Sequence, residues 1–128
     1  MPRPFEFTLD LATGVPVYRQ LIDQILAARA TGRLAGGERL PTVRQVAVNL
    51  SINPNTVQKA YRELEIRGVL TTQQGTGTFL TVEKVAIDEV QRRQRLDQLA
   101  SEFVARAGSE GYSLAELLNV LTEFERGQ

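Results

Sequence analysis

Cysteine and histidine are both absent from this chain of 128 residues. Without cysteine there is no disulfide framework, and without either residue the chain has no thiolate or imidazole to hold a soft metal and no imidazole base. Apolar runs are short. None approaches the roughly 18 residues that a bilayer-crossing helix needs, and the opening MPRPFEF holds no apolar stretch of the signal-peptide kind. The expectation is a cytoplasmic protein with no membrane association, no metal and no cofactor. The carboxylates are scattered along helical patterns rather than paired, which points away from general acid–base catalysis and so from an enzyme. Net charge is missing as well, with 15 Lys and Arg against 15 Asp and Glu.

What is present suits an ordered globular chain, 42% hydrophobic and 23% charged. The length allows either one ordinary domain or a small domain with an appendage that cannot bury a core alone; we read the second, with residues 1–82 as the domain and 83–128 as the appendage. Charge divides the same way. Residues 1–82 carry nine Lys and Arg against six Asp and Glu, and residues 83–128 carry six against nine. The sign of that imbalance fits a DNA-facing module joined to one that does not bind DNA.

The stretch from Arg39 to Phe79 organises the chain. Leu40-Pro41 leads into Thr42-x-x-Gln45, which has the form of a capping box, and Val43, Val46, Ala47 and Leu50 then make an apolar stripe with Arg44, Gln45 and Asn49 on the open side. A cation in a first turn opposes the helix macrodipole by about a few tenths of a kcal/mol, so Arg44 is expected to interact outside the helix, the alternative being an ordinary solvated arginine. Ser51-Ile52 makes a turn. Asn53 caps the next helix, Pro54 takes its first position, and Val57, Ala60, Tyr61 and Leu64 fall on one face. The other face holds Asn55, Thr56, Gln58, Lys59 and Arg62, side chains suited to a major groove: Asn and Gln can pair twice with adenine, and Lys and Arg reach guanine or phosphate. Gly68 stops this helix. The β-branched runs Val69–Thr72 and Thr78–Val82 flank Gln73-Gln74-Gly75-Thr76-Gly77 as a hairpin. Gly-x-Gly also occurs in nucleotide-binding loops, but those lead from a strand into a helix, whereas this one leads into a second strand. The expected fold is mainly α with a small β wing, a winged helix-turn-helix.

Upstream, Phe5–Leu11 alternates apolar and polar residues and fits either a short strand or an extended arm. Pro16 opens a scaffold helix carrying Val17, Leu21, Ile22, Ile25 and Leu26, which Gly32 ends. Downstream, Val85, Val90, Leu96, Leu99, Ala100, Phe103 and Val104 follow a long charged helical pattern to about Ala107. Gly108–Gly111 breaks it, and Ser113-x-x-Glu116 opens a second helix bearing Leu114, Leu117, Leu118, Leu121 and Phe124. Two such helices expose more apolar surface than they can bury on each other. A two-fold homodimer would cover it; packing onto the chain's own winged helix is the alternative.

Several of these segments resemble the GntR family of bacterial transcription regulators. Val15–Leu21 is similar to the family's opening helix, Leu40-Pro41-Thr42-Val43-Arg44 to its Leu-Pro-Ser-x-Arg motif, Asn53–Val57 with Ala60–Leu64 to its recognition helix, and Gly75–Phe79 to its wing. The short C-terminal part resembles the YtrA-like subfamily. The resemblance implies that Arg44 contacts DNA, that Asn53, Asn55, Thr56 and Gln58 face the major groove, and that Gly75 approaches the minor groove. Together with the neighbouring Lys59, Arg62, Gln74, Thr76 and Gly77, these are the candidate DNA-binding residues. Many relatives carry Arg or Lys beside the wing glycines, and some carry Arg in the recognition helix. This chain has Gln73, Gln74, Thr76, Pro54 and Gln58, which implies fewer ionic contacts. The resemblance further implies a repressor, and one reading helix per chain joined to apolar C-terminal helices leads us to expect a homodimer on an inverted-repeat operator in double-stranded DNA, with release by a small-molecule effector of unknown identity as the expected control. Residues 83–128 are too few for the ligand-binding or aminotransferase-like domains of larger relatives. A different class of function, a winged helix used as a protein-interaction adaptor, is compatible with the same fold.

Overall fold

The computed structural model describes residues 5–82 and 88–126, in two compact units, one over residues 1–83 and one over 84–128. The first unit is built on α1 (Val17–Thr31), whose apolar residues Leu21, Ile22, Ile25 and Ala28 are buried. Pro16 stands at the N-cap, one position earlier than the first helical turn, and its carbonyl accepts the Arg19 and Gln20 N–H groups at 3.1 Å each. Gly32 closes the helix in the left-handed conformation, φ 80°, as a terminal glycine does without steric cost.

Phe5–Leu11 is an extended arm and not a strand. Phe5 and Phe7 are both buried, packed edge to face with ring centroids 4.8 Å apart. Two glutamines one helical turn apart on α1 take the place of a partner strand. The Gln24 side-chain amide bonds the Thr8 N–H and C=O (2.9 and 2.6 Å), and that of Gln20 does the same for Asp10 (2.9 Å each). The backbone groups of Thr8 and Asp10 are thereby satisfied without a sheet.

Helix α2 (Val43–Leu50) and helix α3 (Pro54–Ile66) follow, and α3 packs on both α1 and α2. All four residues of the expected apolar face of α3, Val57, Ala60, Tyr61 and Leu64, are buried. The helix ends in a Schellman motif: Val69 N–H reaches the Leu64 carbonyl at 2.8 Å, Gly68 N–H reaches Glu65 at 3.0 Å, and Gly68 has φ 78°.

Strands β1 (Leu70–Gln73) and β2 (Gly77–Leu80) pair antiparallel, with Leu70 opposite Leu80 and Gln73 opposite Gly77. Both lie one residue from the span expected at their starts, and the turn shrinks to Gln74–Thr76. A third extended segment borders β2. Arg39 bridges Phe79 antiparallel, with Leu40 N–H on the Thr78 carbonyl at 2.8 Å and Leu80 N–H on the Glu38 carbonyl at 2.9 Å. No alternation of apolar and polar residues marks this segment in the sequence.

The second unit holds α4 (Glu89–Ser109) and α5 (Leu114–Glu125). Gly108 lies inside α4, contrary to the expected break there; the helix turns off at Gly111, φ 89°, with Tyr112 N–H returning to the Ala107 carbonyl at 3.0 Å. The Ser113–Glu116 capping box opens α5. Neither helix has a buried residue. Val85, placed at the start of this helical pattern, falls outside the described residues. Among the described residues, no helix is long and apolar enough to cross a membrane.

Candidate nucleic-acid interface

The relation between α2 and α3 is set by four local devices. Thr42 Oγ1 accepts the Gln45 N–H at 3.1 Å while Gln45 Oε1 accepts the Thr42 N–H at 2.9 Å, completing the capping box. Ser51 takes a left-handed conformation, φ 55°, the one non-glycine among the described residues to do so. That reversal lets Ile52 N–H bond the Ala47 carbonyl at 3.0 Å and turns the Ile52 side chain onto the core. Asn53 Oδ1 then accepts the Asn55 N–H at 2.8 Å, capping α3. Finally the Tyr61 hydroxyl, on a side chain 1% exposed, donates to the Pro41 carbonyl at 2.6 Å, and burial pushes its pKa well above the ordinary phenol value.

These devices leave a polar face on α3. Asn55, Gln58, Lys59 and Arg62 are exposed and Thr56 is half-exposed. Carboxylates on the same helix are drawn aside: Glu63 pairs with Arg67 at 3.2 Å, and Glu65 accepts the Thr72 hydroxyl at 2.8 Å. Arg62 of α3 and Arg44 in the first turn of α2 make no ion pair among the described residues. Neither helix has an acidic residue in its first turn, so no side-chain carboxylate there repels a phosphate from either positive helix end. The face therefore joins amides able to read bases to cations able to bind phosphate.

Two expected contacts take a more restricted form. The side-chain Oδ1 of Asn53 already accepts the cap hydrogen bond, which ties its orientation to α3 and leaves one lone pair and the amide N–H groups for DNA. The Lys59 ammonium lies 3.9 Å from the centre of the Tyr18 ring, a cation–π contact that draws it toward α1.

In the wing, Gly75 has φ 79° and Thr76 N–H reaches the Gln73 carbonyl at 2.9 Å, forming an exposed tip with Gln74. Gly77 has φ 140°, and a Cβ there would sit 2.8 Å from Arg39 Nε. The Arg39 guanidinium thus lies against the wing backbone at Gly77. Thr72 and Thr78 hydroxyls meet at 3.1 Å, and through Thr72 the wing is tied to Glu65 of α3. Nothing in the sequence marks Arg39 for this position, because the short pairing of its segment with β2 has no periodicity to detect. Among the described residues there is no group of three or more acidic residues placed to hold a metal ion.

Known proteins share this arrangement. The family model described as bacterial regulatory proteins, gntR family, matches residues 16–80. The chain is 33% identical over 112 residues to the uncharacterized HTH-type transcriptional regulator YhcF of Bacillus subtilis (strain 168), an alignment covering 88% of this chain and 92% of that one. It is 40% identical over 73 residues to the HTH-type transcriptional repressor YtrA of the same organism, covering 57% of this chain and 56% of YtrA. Among solved structures, a GntR family transcriptional regulator from Listeria monocytogenes matches with a TM-score of 0.61 and 30% identity over 90% of this chain and 98% of the other. The AraR DNA-binding domain in complex with operator ORR3 matches with a TM-score of 0.51 and 25% identity, over 62% of this chain and 95% of that domain. A winged helix matched across residues 16–80, with a near full-length relative beyond it, identifies this chain as a member of the gntR family of bacterial regulatory proteins, of the YtrA-like kind.

Proposed function

We propose that the chain is a sequence-specific DNA-binding repressor that grips an inverted-repeat operator as a homodimer and is released by a small-molecule effector. The observation that carries the DNA-binding reading is the division of α3, which buries Val57, Ala60, Tyr61 and Leu64 and leaves Asn55, Gln58, Lys59 and Arg62 exposed, with Arg44 exposed on α2. Operator complexes of AraR, which shares this fold, and the repressor name carried by YtrA support it. Catalysis plays no part in this reading, and the setting is the bacterial cytoplasm.

Dimerisation is supported by the second unit. Leu96, Leu99 and Phe103 of α4 and Leu114, Leu118, Leu121 and Phe124 of α5 are all exposed. Seven large exposed apolar side chains on two helices are more than soluble monomers usually leave open, and an isologous pairing of two copies would cover them. Paired copies would present two α3 helices to successive major grooves, so an effector need only change their spacing by a few ångströms to release the operator, on the order of a tenth of a helical turn.

Selection tests this directly. Wild-type protein is incubated with a pool of duplexes bearing a randomised core, and bound DNA is recovered and sequenced. An inverted repeat with half-sites about one helical turn apart is expected, with affinity falling steeply as salt rises. A pool that stays random, with no retention even at low salt, would instead support the adaptor reading.

A further inference from the structure

The wing hairpin has no charge of its own, since residues 69–82 contain neither Lys nor Arg nor any acid. A neutral wing is a poor fit for a phosphate-lined groove. We infer that Arg39, which lies outside the hairpin, is the wing's cation and enters the minor groove beside its tip; this rests on the DNA-binding reading above. Arg39 pairs with Phe79, yet its guanidinium lies against Gly77, two residues nearer the tip. The side chain therefore runs about 7 Å along the strand toward the Gln74–Thr76 turn. Glycine at 77 makes the path possible. A Cβ there would meet Nε at 2.8 Å and Cζ at 3.3 Å, so the guanidinium occupies the space a side chain would fill.

Arg39 is also exposed and unpaired. It forms no ion pair among the described residues, and the neighbouring Glu38 carboxylate is turned away to the Ala35 N–H at 3.4 Å. Its charge is thus uncompensated and held by backbone contact alone. Arginine in that state is drawn to narrow A·T-rich minor grooves, where the negative potential is enhanced. The cations that Gln73, Gln74 and Thr76 do not provide at the wing would thus be replaced by one from the adjoining extended segment.

The test uses the full chain and duplexes recovered from the selection described above, with each A·T pair replaced in turn by G·C or by I·C. Inosine–cytosine lacks the minor-groove amino group, so a minor-groove reader accepts it in place of A·T, whereas a major-groove reader does not. Wild-type protein is expected to lose at least about fivefold in affinity on G·C at positions flanking the α3 half-site and to recover on I·C. R39Q should bind more weakly throughout, with that dependence flattened and the log–log salt slope reduced by about one. Its thermal midpoint should match wild type, because the side chain makes no bond that folding requires. R39K should keep the slope and lose the A·T dependence. Three results would overturn the assignment: an R39Q profile identical to wild type, uniform weakening with the A·T dependence intact, or a wild-type profile without flanking A·T positions. Failure of wild type to enrich any duplex would overturn the DNA-binding reading itself.

Discussion

The Tyr61 hydroxyl of α3 donates a 2.6 Å hydrogen bond to the Pro41 carbonyl just ahead of α2, so the residue that anchors the reading helix also fixes where the preceding helix begins. Tyr61→Phe keeps the ring and leaves that carbonyl unpaired, at an expected cost of about 1–2 kcal/mol in urea unfolding. The pH dependence follows from the raised pKa of the phenol. A group whose pKa is higher folded than unfolded contributes its stability below the unfolded value, about 10 for tyrosine, and loses it as pH rises beyond. Wild type should therefore weaken in alkali more steeply than Tyr61→Phe. Parallel alkaline slopes would contradict the role given to this hydroxyl.

Ser51 holds a left-handed conformation that side chains other than glycine, Asn and Asp seldom adopt. Ser51→Gly should raise stability by roughly 0.5–1 kcal/mol, the conformational relief being partly offset by a more flexible unfolded chain. Ser51→Val should lower it by more. Thermal midpoints of the two variants check the ordering, and DNA affinity of Ser51→Gly should be unchanged.

The exposed apolar faces of α4 and α5 predict a particle of twice 14.2 kDa in sedimentation at micromolar concentration. Phe103 is 49% exposed in the single chain, so Phe103→Glu should cost the isolated chain little while splitting the dimer and weakening binding to a full inverted repeat more than to a half-site. A Phe103→Glu variant that remains dimeric would place the interface elsewhere.

Acid should unwind the start of α5. Hydrogen bonds from the Ser113 backbone and side chain hold the Glu116 carboxyl below its usual value. A carboxylate depressed in the folded state stabilises above its unfolded pKa and ceases to do so as pH falls through the folded one. Helical circular dichroism should decline on acidification in and below the ordinary carboxylate range, and Ser113→Ala should remove part of that dependence. An unchanged acid profile in Ser113→Ala would contradict the capping-box contribution.

Much of this architecture is legible in the sequence because its signals are local. The Thr42 and Ser113 capping boxes, the Asn53-Pro54 helix start and the buried face of α3 each rest on spacings of three or four residues, which short-range physics enforces. Elements held by distant partners are not legible. Nothing near Phe5–Leu11 shows that Gln20 and Gln24 will bond its backbone, and nothing near Arg39 shows that Phe79 will pair with it. Gly108 misleads for the opposite reason: a glycine in open space costs a helix only about 1 kcal/mol, and α4 runs through it. Lys59 is placed correctly on the exposed face, but its attraction to Tyr18 depends on how α1 crosses α3, which periodicity does not encode.

In the proposed complex the exposed start of α3 reads base sequence while Arg44 holds the duplex. Binding of wild type, Asn55→Ala, Gln58→Ala and Arg44→Ala is measured across a panel of single-base variants of the selected operator. Asn55→Ala and Gln58→Ala should each lose about 1–3 kcal/mol of discrimination at separate base pairs, whereas Arg44→Ala should weaken every duplex alike. Discrimination left intact in both α3 variants, or affinity left intact in Arg44→Ala, would contradict that division of roles.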